Sequence, residues 1–238
     1  MPRAVVVIPA RWASARFPGK VLASLSGRPL VLHACDIAAL ARLVDDLRVA
    51  VDDERVARVV EDAGFHALHT SPEHASGTDR VAEAVRDLEA DLVVGLQADE
   101  PFLQPTDLDV LVGALGESEE PARLATLAGP LETPAEWRDP NVVKVLVDGQ
   151  GHAVYFSRAP IPYPRPASGP LPQNPPGPVP APARRHVGVY GWRRKSLLAF
   201  AALPASPLER AEGLEQLRAL EAGWRIAVRP VTGRPFGV

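Results

Sequence analysis

Three cations lie close together in one short segment near the start of the chain. Residues 10–20 read ARWASARFPGK and contain Arg11, Arg16 and Lys20. Such a group suits a triphosphate, whose charge must be both neutralised and oriented. The segment contains neither GxxxxGK[ST] nor GxGxxG, so it is not a P-loop or a dinucleotide fingerprint. The alternative is an ordinary basic loop in solvent, because arginine is common on protein surfaces.

An acidic segment follows an apolar run later in the first half of the chain. Residues 97–101 read QADEP and form the loop after the predicted strand, with Asp99 in the middle of the loop. Magnesium ions are usually held by one or two carboxylates together with substrate phosphates, so Asp99 is a candidate Mg²⁺ ligand. Alternatively, Asp99 only caps the next turn.

A third polar segment, residues 74–80, reads HASGTDR and precedes a predicted helix. Ser76 or Thr78 can cap that helix. The exposed backbone N–H groups and Arg80 would favour a base carbonyl or a phosphate. A simple capped loop explains the same residues equally well.

The second half of the chain carries a scattered polar set. It comprises Arg158, Arg184, Arg185, His186, Tyr190, Glu215 and Gln216. Arginine suits the carboxylate of a sugar acid because it can bind bidentately. A lone histidine is more often structural than catalytic, and the sequence has no Ser-His-Asp order, HExxH or CxxC motif.

The elements that must position these side chains alternate between short apolar strands and helices. Strands are predicted over residues 4–8, 47–51, 65–68 and 92–96. Helices are predicted over residues 30–43, from Asp52 or Asp53 to Gly64, and from Thr78 or Asp79 onward. This alternation is typical of an open parallel sheet with helices on both faces, in which ligands bind at the carboxyl ends of strands.

The second half changes character. Strands are predicted over residues 123–127, 142–147, 153–156, 187–192 and 225–231. One long helix is predicted from the capping box Ser206-Pro207-Leu208-Glu209, with an apolar face that continues to Leu220. Residues 160–182 hold 11 of the 26 prolines and can form neither a helix nor an inner strand. We expect this stretch to span the surface passively rather than to gate a site.

Composition excludes several classes. With 46% hydrophobic and 23% charged residues the chain can bury a core, and its net charge of -3 gives no basic footprint for nucleic acid. Cys35 is the only cysteine, which excludes an intrachain disulfide and a cysteine-based zinc site. No apolar run of ~18 residues and no signal peptide is present, so we expect a cytoplasmic protein with no membrane partner.

Taken in order, these segments resemble the 3-deoxy-manno-octulosonate (Kdo) cytidylyltransferases, also called CMP-Kdo synthetases. The likeness begins with VVVIPARWASARFPGKVLASLSGRPLVLH and continues through HASGTDRVAEAV, LVVGLQADEP, YFSRAPIP, RRHVGVYGWRR and LEQLR. It covers almost the whole chain except the proline-rich stretch. It implies an α/β, Rossmann-like nucleotidyltransferase fold with a mostly parallel central sheet and a smaller β-rich dimerisation subdomain.

The resemblance implies that CTP and Kdo react to give CMP-Kdo and pyrophosphate, by in-line attack of the sugar hydroxyl on the α-phosphate with Mg²⁺ as cofactor. By the same resemblance, the CTP phosphates are held by Ala10, Arg11 and Lys20. The cytidine site is lined by Ser76, Gly77, Arg80 and Gln97. The sugar acid is surrounded by Arg158, His186, Tyr190, Glu215 and Gln216. Catalysis falls on Arg11, Lys20 and Asp99, and Asp99 binds the metal.

The resemblance also implies a single domain over residues 1–238 and a homodimer. Within it we expect a nucleotide-binding half over about 1–120, a β-rich sugar-binding and dimerisation region over about 121–195, and a return helix with the last strand over 196–238. Two departures from the family pattern stand out. QADEP replaces the usual QGDEP, and the given sequence ends at Val238 before the aspartate that is the family's second metal ligand.

Two alternatives therefore stay open. One is a cytidylyltransferase for another 2-keto sugar acid, such as a sialic-acid-like substrate. The other is a nucleotide-binding module of low activity, with Asp99 as a single, weaker metal ligand.

Overall fold

The computed structural model describes residues 2–13, 18–74, 76–116, 122–164, 179 and 182–233. These residues form a nine-stranded sheet with helices on both faces, and a separate two-stranded ribbon. Throughout these ranges, no helix has the length and apolar character that crossing a membrane requires.

The strands and helices follow one another in the predicted alternation. The strands are β1 (Ala4–Ala10), β2 (Ser24–Leu25), β3 (Arg28–Pro29), β4 (Asp46–Val51), β5 (Ala67–His69), β6 (Leu92–Gly95), β7 (Leu124–Gly129), β8 (Lys144–Val147), β9 (Ala153–Ser157), β10 (Ala183–Arg193) and β11 (Ile226–Pro230). The helices are α1 (Leu30–Ala39), α2 (Glu54–Asp62), α3 (Gly77–Ala84), α4 (Pro105–Gly116), α5 (Pro134–Arg138), α6 (Arg194–Ala201), α7 (Pro207–Glu212) and α8 (Gln216–Glu221). A short 3-10 turn covers Lys20–Leu22.

The central sheet has the order β11-β7-β10-β6-β1-β4-β5. Only β10 runs against its neighbours β6 and β7, and every other pair along this order is parallel. The hairpin β8–β9 joins the sheet through β10, where Arg185 lies opposite Lys144 of β8 while Tyr190 lies opposite Gly95 of β6. The hairpin therefore extends the sheet beyond the carboxyl end of β6. The predicted α/β fold with a mostly parallel central sheet is confirmed.

The valine run of β1 shows why this strand is central. Val6 and Ile8 belong to the core on the side of α1, α2 and α4, whereas Val5 and Val7 belong to the core on the side of α3, α6 and α8. All four side chains are 1% exposed or less. A strand with both faces buried needs a continuous apolar run, which this sequence provides.

The structure corrects the predicted long helix of the carboxyl-terminal region. Its capping box is confirmed, since the Glu209 backbone N–H donates to Ser206 Oγ at 3.3 Å. However, the helix ends at Glu212 because Gly213 adopts φ 62°, and α8 begins only at Gln216. A residue in this left-handed conformation ends a helix, and glycine adopts it at little cost.

Smaller differences concern the other elements. Helix α1 ends at Ala39 instead of residue 43. The helices α4, α5 and α6 and the short strands β2 and β3 have no counterpart among the predictions. The strand predictions are confirmed with boundary shifts of a few residues. Most of the proline-rich stretch, residues 165–178 and 180–181, lies outside the described residues.

Candidate active site

The candidate residues gather at one edge of the sheet. β1, β4, β5 and β6 are parallel, so their carboxyl ends share this edge. Because β10 is antiparallel, its residues up to Tyr190, which lies opposite the last residue of β6, reach the same edge and bring His186 with them. This is where open α/β sheets bind ligands.

The cation-rich loop starts at Ala10, the last residue of β1, and continues with the exposed Arg11. The Gly19 backbone N–H donates to the Trp12 carbonyl oxygen at 2.8 Å, which closes the loop. Gly19 has φ 73°, and a Cβ on it would lie 2.9 Å from the Trp12 ring, so only glycine fits here. Arg16, one of the three predicted cations, lies outside the described residues.

The turn after Gly19 directs Lys20 toward the acidic segment. Lys20 Nζ donates to Asp99 Oδ2 at 2.9 Å, although the two residues are far apart in sequence. Their side chains are 32% and 47% exposed, so a charged ligand can reach both. The structure thus joins the predicted phosphate-binding lysine and the predicted metal-binding carboxylate in one ion pair.

Glu100 is a member of this cluster that the sequence analysis left without a role. Burial and the neighbouring Asp99 charge raise the pKa of Glu100 to about 7, and the cations Arg185 and Lys20 oppose that shift. Glu100 Oε2 is buried and has no hydrogen-bond partner among the residues that the structure describes. The QADEP motif contained this residue, but only its burial distinguishes it from a solvated carboxylate.

The HASGTDR segment packs directly on the end of β6. Ser76 is the amino-terminal cap of α3, since its Oγ accepts from the Asp79 backbone N–H at 3.1 Å. A Cβ on Gly77 would lie 3.2 Å from both polar atoms of the Gln97 amide and 3.3 Å from Pro9. Glycine at this position therefore lets α3 approach Gln97, which brings together two residues predicted to line the cytidine site.

Arg80 has a different surrounding from the one expected of an exposed base-binding group. It is 1% exposed, and its guanidinium donates to Asp52 Oδ2 at 2.9 Å and to Thr70 Oγ1 at 2.5 Å. From the sequence alone, Asp52 is a possible helix cap and has no further role. The cap of α2 is Asp53, whose side chain accepts from the Arg55 backbone N–H.

The sugar-site candidates form a partly apolar wall beside α3. His186 Nε2 lies 3.0 Å from Thr126 Oγ1, and burial lowers the pKa of His186 to about 3, so this ring is neutral at pH 7. The Tyr190 ring centre lies 5.6 Å from that of His186. Burial, together with the charge of Glu215, raises the pKa of the Tyr190 hydroxyl.

Glu215 approaches this wall from the turn between α7 and α8, and Gln216 is the first residue of α8. Thr78 Oγ1 donates to Glu215 Oε2 at 2.7 Å, and burial raises the pKa of Glu215. Gln216 is 4% exposed, and within the described ranges its Nε2 has no hydrogen-bond partner. A small cavity lies between α3 and this wall. It is lined by Thr78, Val81, Gly95, Gln97, Tyr190 and Trp192.

Arg158 is held by main-chain groups. Its Nε donates to the Glu212 carbonyl oxygen at 2.8 Å and its Nη1 to that of Pro140 at 3.0 Å. Lys144, fully buried, donates to the Arg158 carbonyl oxygen at 2.5 Å. Through these hydrogen bonds, Arg158 connects the end of α7 to the segment that follows β9.

The described residues contain no group of three or more His, Cys, Asp or Glu side chains placed to hold a metal ion. The oxygen of one accessible carboxylate, Asp99, is the kind of ligand that Mg²⁺ takes when phosphates supply the remaining positions. The donor set thus fits a magnesium ion shared with a phosphate ligand.

The chain is similar to known cytidylyltransferases. A family model described as cytidylyltransferase matches residues 5–226. The 3-deoxy-manno-octulosonate cytidylyltransferase of Anaeromyxobacter sp. (strain Fw109-5) is 50% identical, over 100% of this chain and 92% of that protein. The enzyme of the same name from Syntrophotalea carbinolica is 47% identical, over 93% and 88%. A solved structure of CMP:2-keto-3-deoxy-manno-octonic acid synthetase complexed with CTP has a TM-score of 0.89 and 39% identity, over 99% of this chain and 92% of that one.

Proposed function

The chain belongs to the cytidylyltransferase family, and we propose that it couples CTP and Kdo to give CMP-Kdo and pyrophosphate. The observation that carries the proposal is the Lys20–Asp99 ion pair at the sheet edge where parallel strands end. The pair supports the proposal because transfer of a nucleotidyl group needs a cation for the phosphates and a carboxylate for the metal ion, the roles that Lys20 and Asp99 would have.

The residues around this pair would hold the triphosphate. Lys20, the exposed Arg11 and the backbone at Ala10 lie at the end of β1 and meet the negative charge of the phosphates. On CTP binding, Lys20 would exchange Asp99 for a phosphate oxygen. Asp99 would then hold Mg²⁺ together with phosphate oxygens and water, and the ion would supply charge neutralisation at the phosphates.

The base would lie against Gln97 and the start of α3. The Gln97 amide offers one acceptor and two donors, which complements the carbonyl and amino groups of cytosine. Gly77 lets the start of α3 lie close to that amide, and Ser76 caps the helix there by accepting from the Asp79 backbone N–H. Arg80 would support this site indirectly, through its hydrogen bonds to Asp52 and Thr70.

The sugar acid would lie against the wall of His186, Tyr190 and Glu215. Because His186 is neutral, it would not compete with the positively charged side chains for the sugar carboxylate. The Gln216 amide nitrogen is a buried donor that a hydroxyl or a carboxylate of the sugar can satisfy. Arg158 would bind the sugar carboxylate with its remaining donors, since the guanidinium has five N–H groups.

The proposal also includes the predicted compartment, oligomeric state and partners. We place the enzyme in the cytoplasm as a homodimer, with CTP and a 2-keto-3-deoxy sugar acid as its substrates and without nucleic acid or membrane as a partner. Another 2-keto sugar acid as substrate, and nucleotide binding with little turnover, are the competing outcomes of the test.

The test is pyrophosphate release in the presence of Mg²⁺, CTP and either Kdo or N-acetylneuraminate. We expect release with Kdo, no release with the sialic acid, and loss of release in Asp99→Ala. Asp62→Ala, a substitution of an exposed aspartate on α2, is the matched control and should retain activity. Release with the sialic acid alone would favour the other sugar-acid substrate, and CTP binding without release would favour the binding module.

A further inference from the structure

Asp52 follows the last residue of β4 and lies between two segments that the proposed function assigns to CTP. Its side chain is only 6% exposed. Asp52 Oδ1 accepts from the Trp12 backbone N–H at 2.8 Å, and Oδ2 accepts from Arg80 Nη2 at 2.9 Å. One buried carboxylate therefore joins two segments. They are the cation-rich loop after β1, residues 10–20, which is the proposed phosphate loop, and helix α3, which is the proposed base helix.

The Arg80 end of this connection is held on a second side. Arg80 Nη1 donates to Thr70 Oγ1 at 2.5 Å, and Thr70 Oγ1 donates to the Val51 carbonyl oxygen at 2.9 Å. The guanidinium side chain is 2% exposed, so these contacts are shielded from water. Charge-assisted hydrogen bonds in such a shielded position are strong and fixed in geometry.

The Trp12 end of the connection is also held by neighbouring residues. The Arg55 guanidinium stacks over the Trp12 ring at 3.6 Å, and the ring covers Gly19. The Trp12 carbonyl oxygen accepts from Gly19, so the backbone on which the Asp52 carboxylate acts leads directly to Lys20. A displacement of Trp12 would thus be passed on to the lysine.

We propose that Asp52 is a positioning residue, which sets the phosphate loop and the base helix at the separation that CTP spans. This inference rests on the proposed function, because it takes CTP as the ligand that bridges both segments. A site whose two halves are held in place avoids the cost of ordering them on binding. Asp52 touches neither the reacting phosphorus nor the sugar, and it acts through Trp12 and Arg80.

The chemistry of the two contacts explains why a carboxylate is needed. Both partners, the Trp12 N–H and the Arg80 guanidinium, are donors, and an ionised carboxylate has an acceptor oxygen for each. An asparagine has one acceptor oxygen, and its amide NH₂ would face a second donor. Asp52→Asn therefore keeps the shape of the side chain but breaks one of the two contacts.

The experiment compares three purified variants with the wild-type enzyme. They are Asp52→Asn, Thr70→Val and, as a matched control, Glu209→Gln. Glu209 forms a similarly shielded ion pair with Arg218, in which both side chains are 11% exposed. This second pair stabilises α7 against α8 and makes no contact with the phosphate loop or α3 in the hydrogen bonds of the described residues.

We expect Asp52→Asn to raise the KM for CTP about tenfold, the effect of losing roughly one charge-assisted hydrogen bond, with the KM for Kdo unchanged. Thr70→Val should raise the KM for CTP by a smaller factor. Glu209→Gln should lower the unfolding temperature and leave the KM for CTP as in the wild type. A merely structural role of Asp52 would reduce the amount of active enzyme and leave both KM values unchanged.

Three results would overturn the inference. They are an unchanged KM for CTP in folded Asp52→Asn, equal increases in both KM values, or a Glu209→Gln variant with the same increase for CTP. If Asp52→Asn does not fold, Thr70→Val decides by the same criterion. Calorimetric titration with CTP alone keeps this test separate from that of the proposed function. A wild-type protein that binds CTP but forms no CMP-Kdo contradicts the function, and the Kd for CTP still tests the positioning role.

Discussion

Replacing Glu100 by glutamine should make the protein more stable at alkaline pH. Glu100 is the buried carboxyl group beside Asp99 whose pKa is raised to about 7 from an ordinary value of 4.5. The folded protein therefore holds this proton in a pH range in which the unfolded chain has already released it. Glutamine keeps the shape of the protonated group and cannot ionise.

The sign and size of the effect follow from linkage. Between pH 4.5 and 7 the folded state binds more protons than the unfolded state, so the stability contribution of Glu100 falls as the pH rises and reaches its minimum above pH 7. Because one pKa unit corresponds to about 1.4 kcal/mol, the ionised Glu100 destabilises the fold by at most about 3 kcal/mol at pH 8. By the same relation the difference falls below about 1 kcal/mol at pH 5.

The assay is urea unfolding of the wild type and Glu100→Gln at pH 5, 6, 7 and 8. Glu89→Gln is the matched control, because the Glu89 side chain is 94% exposed. We expect a stability gain in Glu100→Gln that grows from pH 5 to pH 8, and no such trend in the control. A gain of equal size at every pH, or a loss at pH 8, would refute the assignment of a buried, protonated Glu100.

Three further substitutions test other parts of the structure. Gly77→Ala places a Cβ 3.2 Å from the Gln97 amide, so we expect a several-fold higher KM for CTP with an unfolding temperature close to that of the wild type; an unchanged KM would contradict the close approach. Asp99→Asn removes the accessible carboxylate paired with Lys20, and kcat should fall about a hundredfold or more; a loss of less than threefold in steady-state kinetics would count against Asp99 as a metal ligand. Lys144→Met leaves three carbonyl oxygens, those of Asp139, Val142 and Arg158, without their buried donor. Urea unfolding should show a loss of about 2–4 kcal/mol, and a loss below about 0.5 kcal/mol would contradict this role.

The central strands and their order of appearance could be predicted because burial on both faces leaves a local signal. The run from Ala4 to Ile8 is apolar throughout. The order of the strands within the sheet has no such local signal, because β10 is inserted antiparallel between β6 and β7. Helix α4 has a weaker local signal. Leu108, Leu111 and Leu115 are buried and recur at a helical spacing, but Asp107 is also buried and apolar residues occur on most sides of the helix.

The break at Gly213 shows a second limit. The apolar spacing of the carboxyl-terminal region continues through Gly213, although Leu208 is 37% exposed in the structure. Gly213 separates two helices whose apolar side chains follow one continuous helical spacing. A glycine within an otherwise regular pattern is the local signal for this break.

The location of the candidate site could be predicted from strand ends, but the partners of its charged residues could not. Lys20 meets Asp99 and Arg80 meets Asp52 across long sequence separations, which only the assembled sheet creates. Arg80 lies in the predicted segment, yet its guanidinium faces β4 and β5. Pairing between distant charges depends on the geometry of the fold, and residue type alone does not determine it.

The most direct test of the central claim is ³¹P NMR of CTP incubated with Kdo, Mg²⁺ and the enzyme. The proposed reaction breaks the bond between the α- and β-phosphates, so the three signals of CTP should be replaced by one signal of pyrophosphate and one of a phosphodiester. Appearance of CDP and inorganic phosphate, or CTP signals that persist in the presence of folded enzyme and both substrates, would contradict the claim.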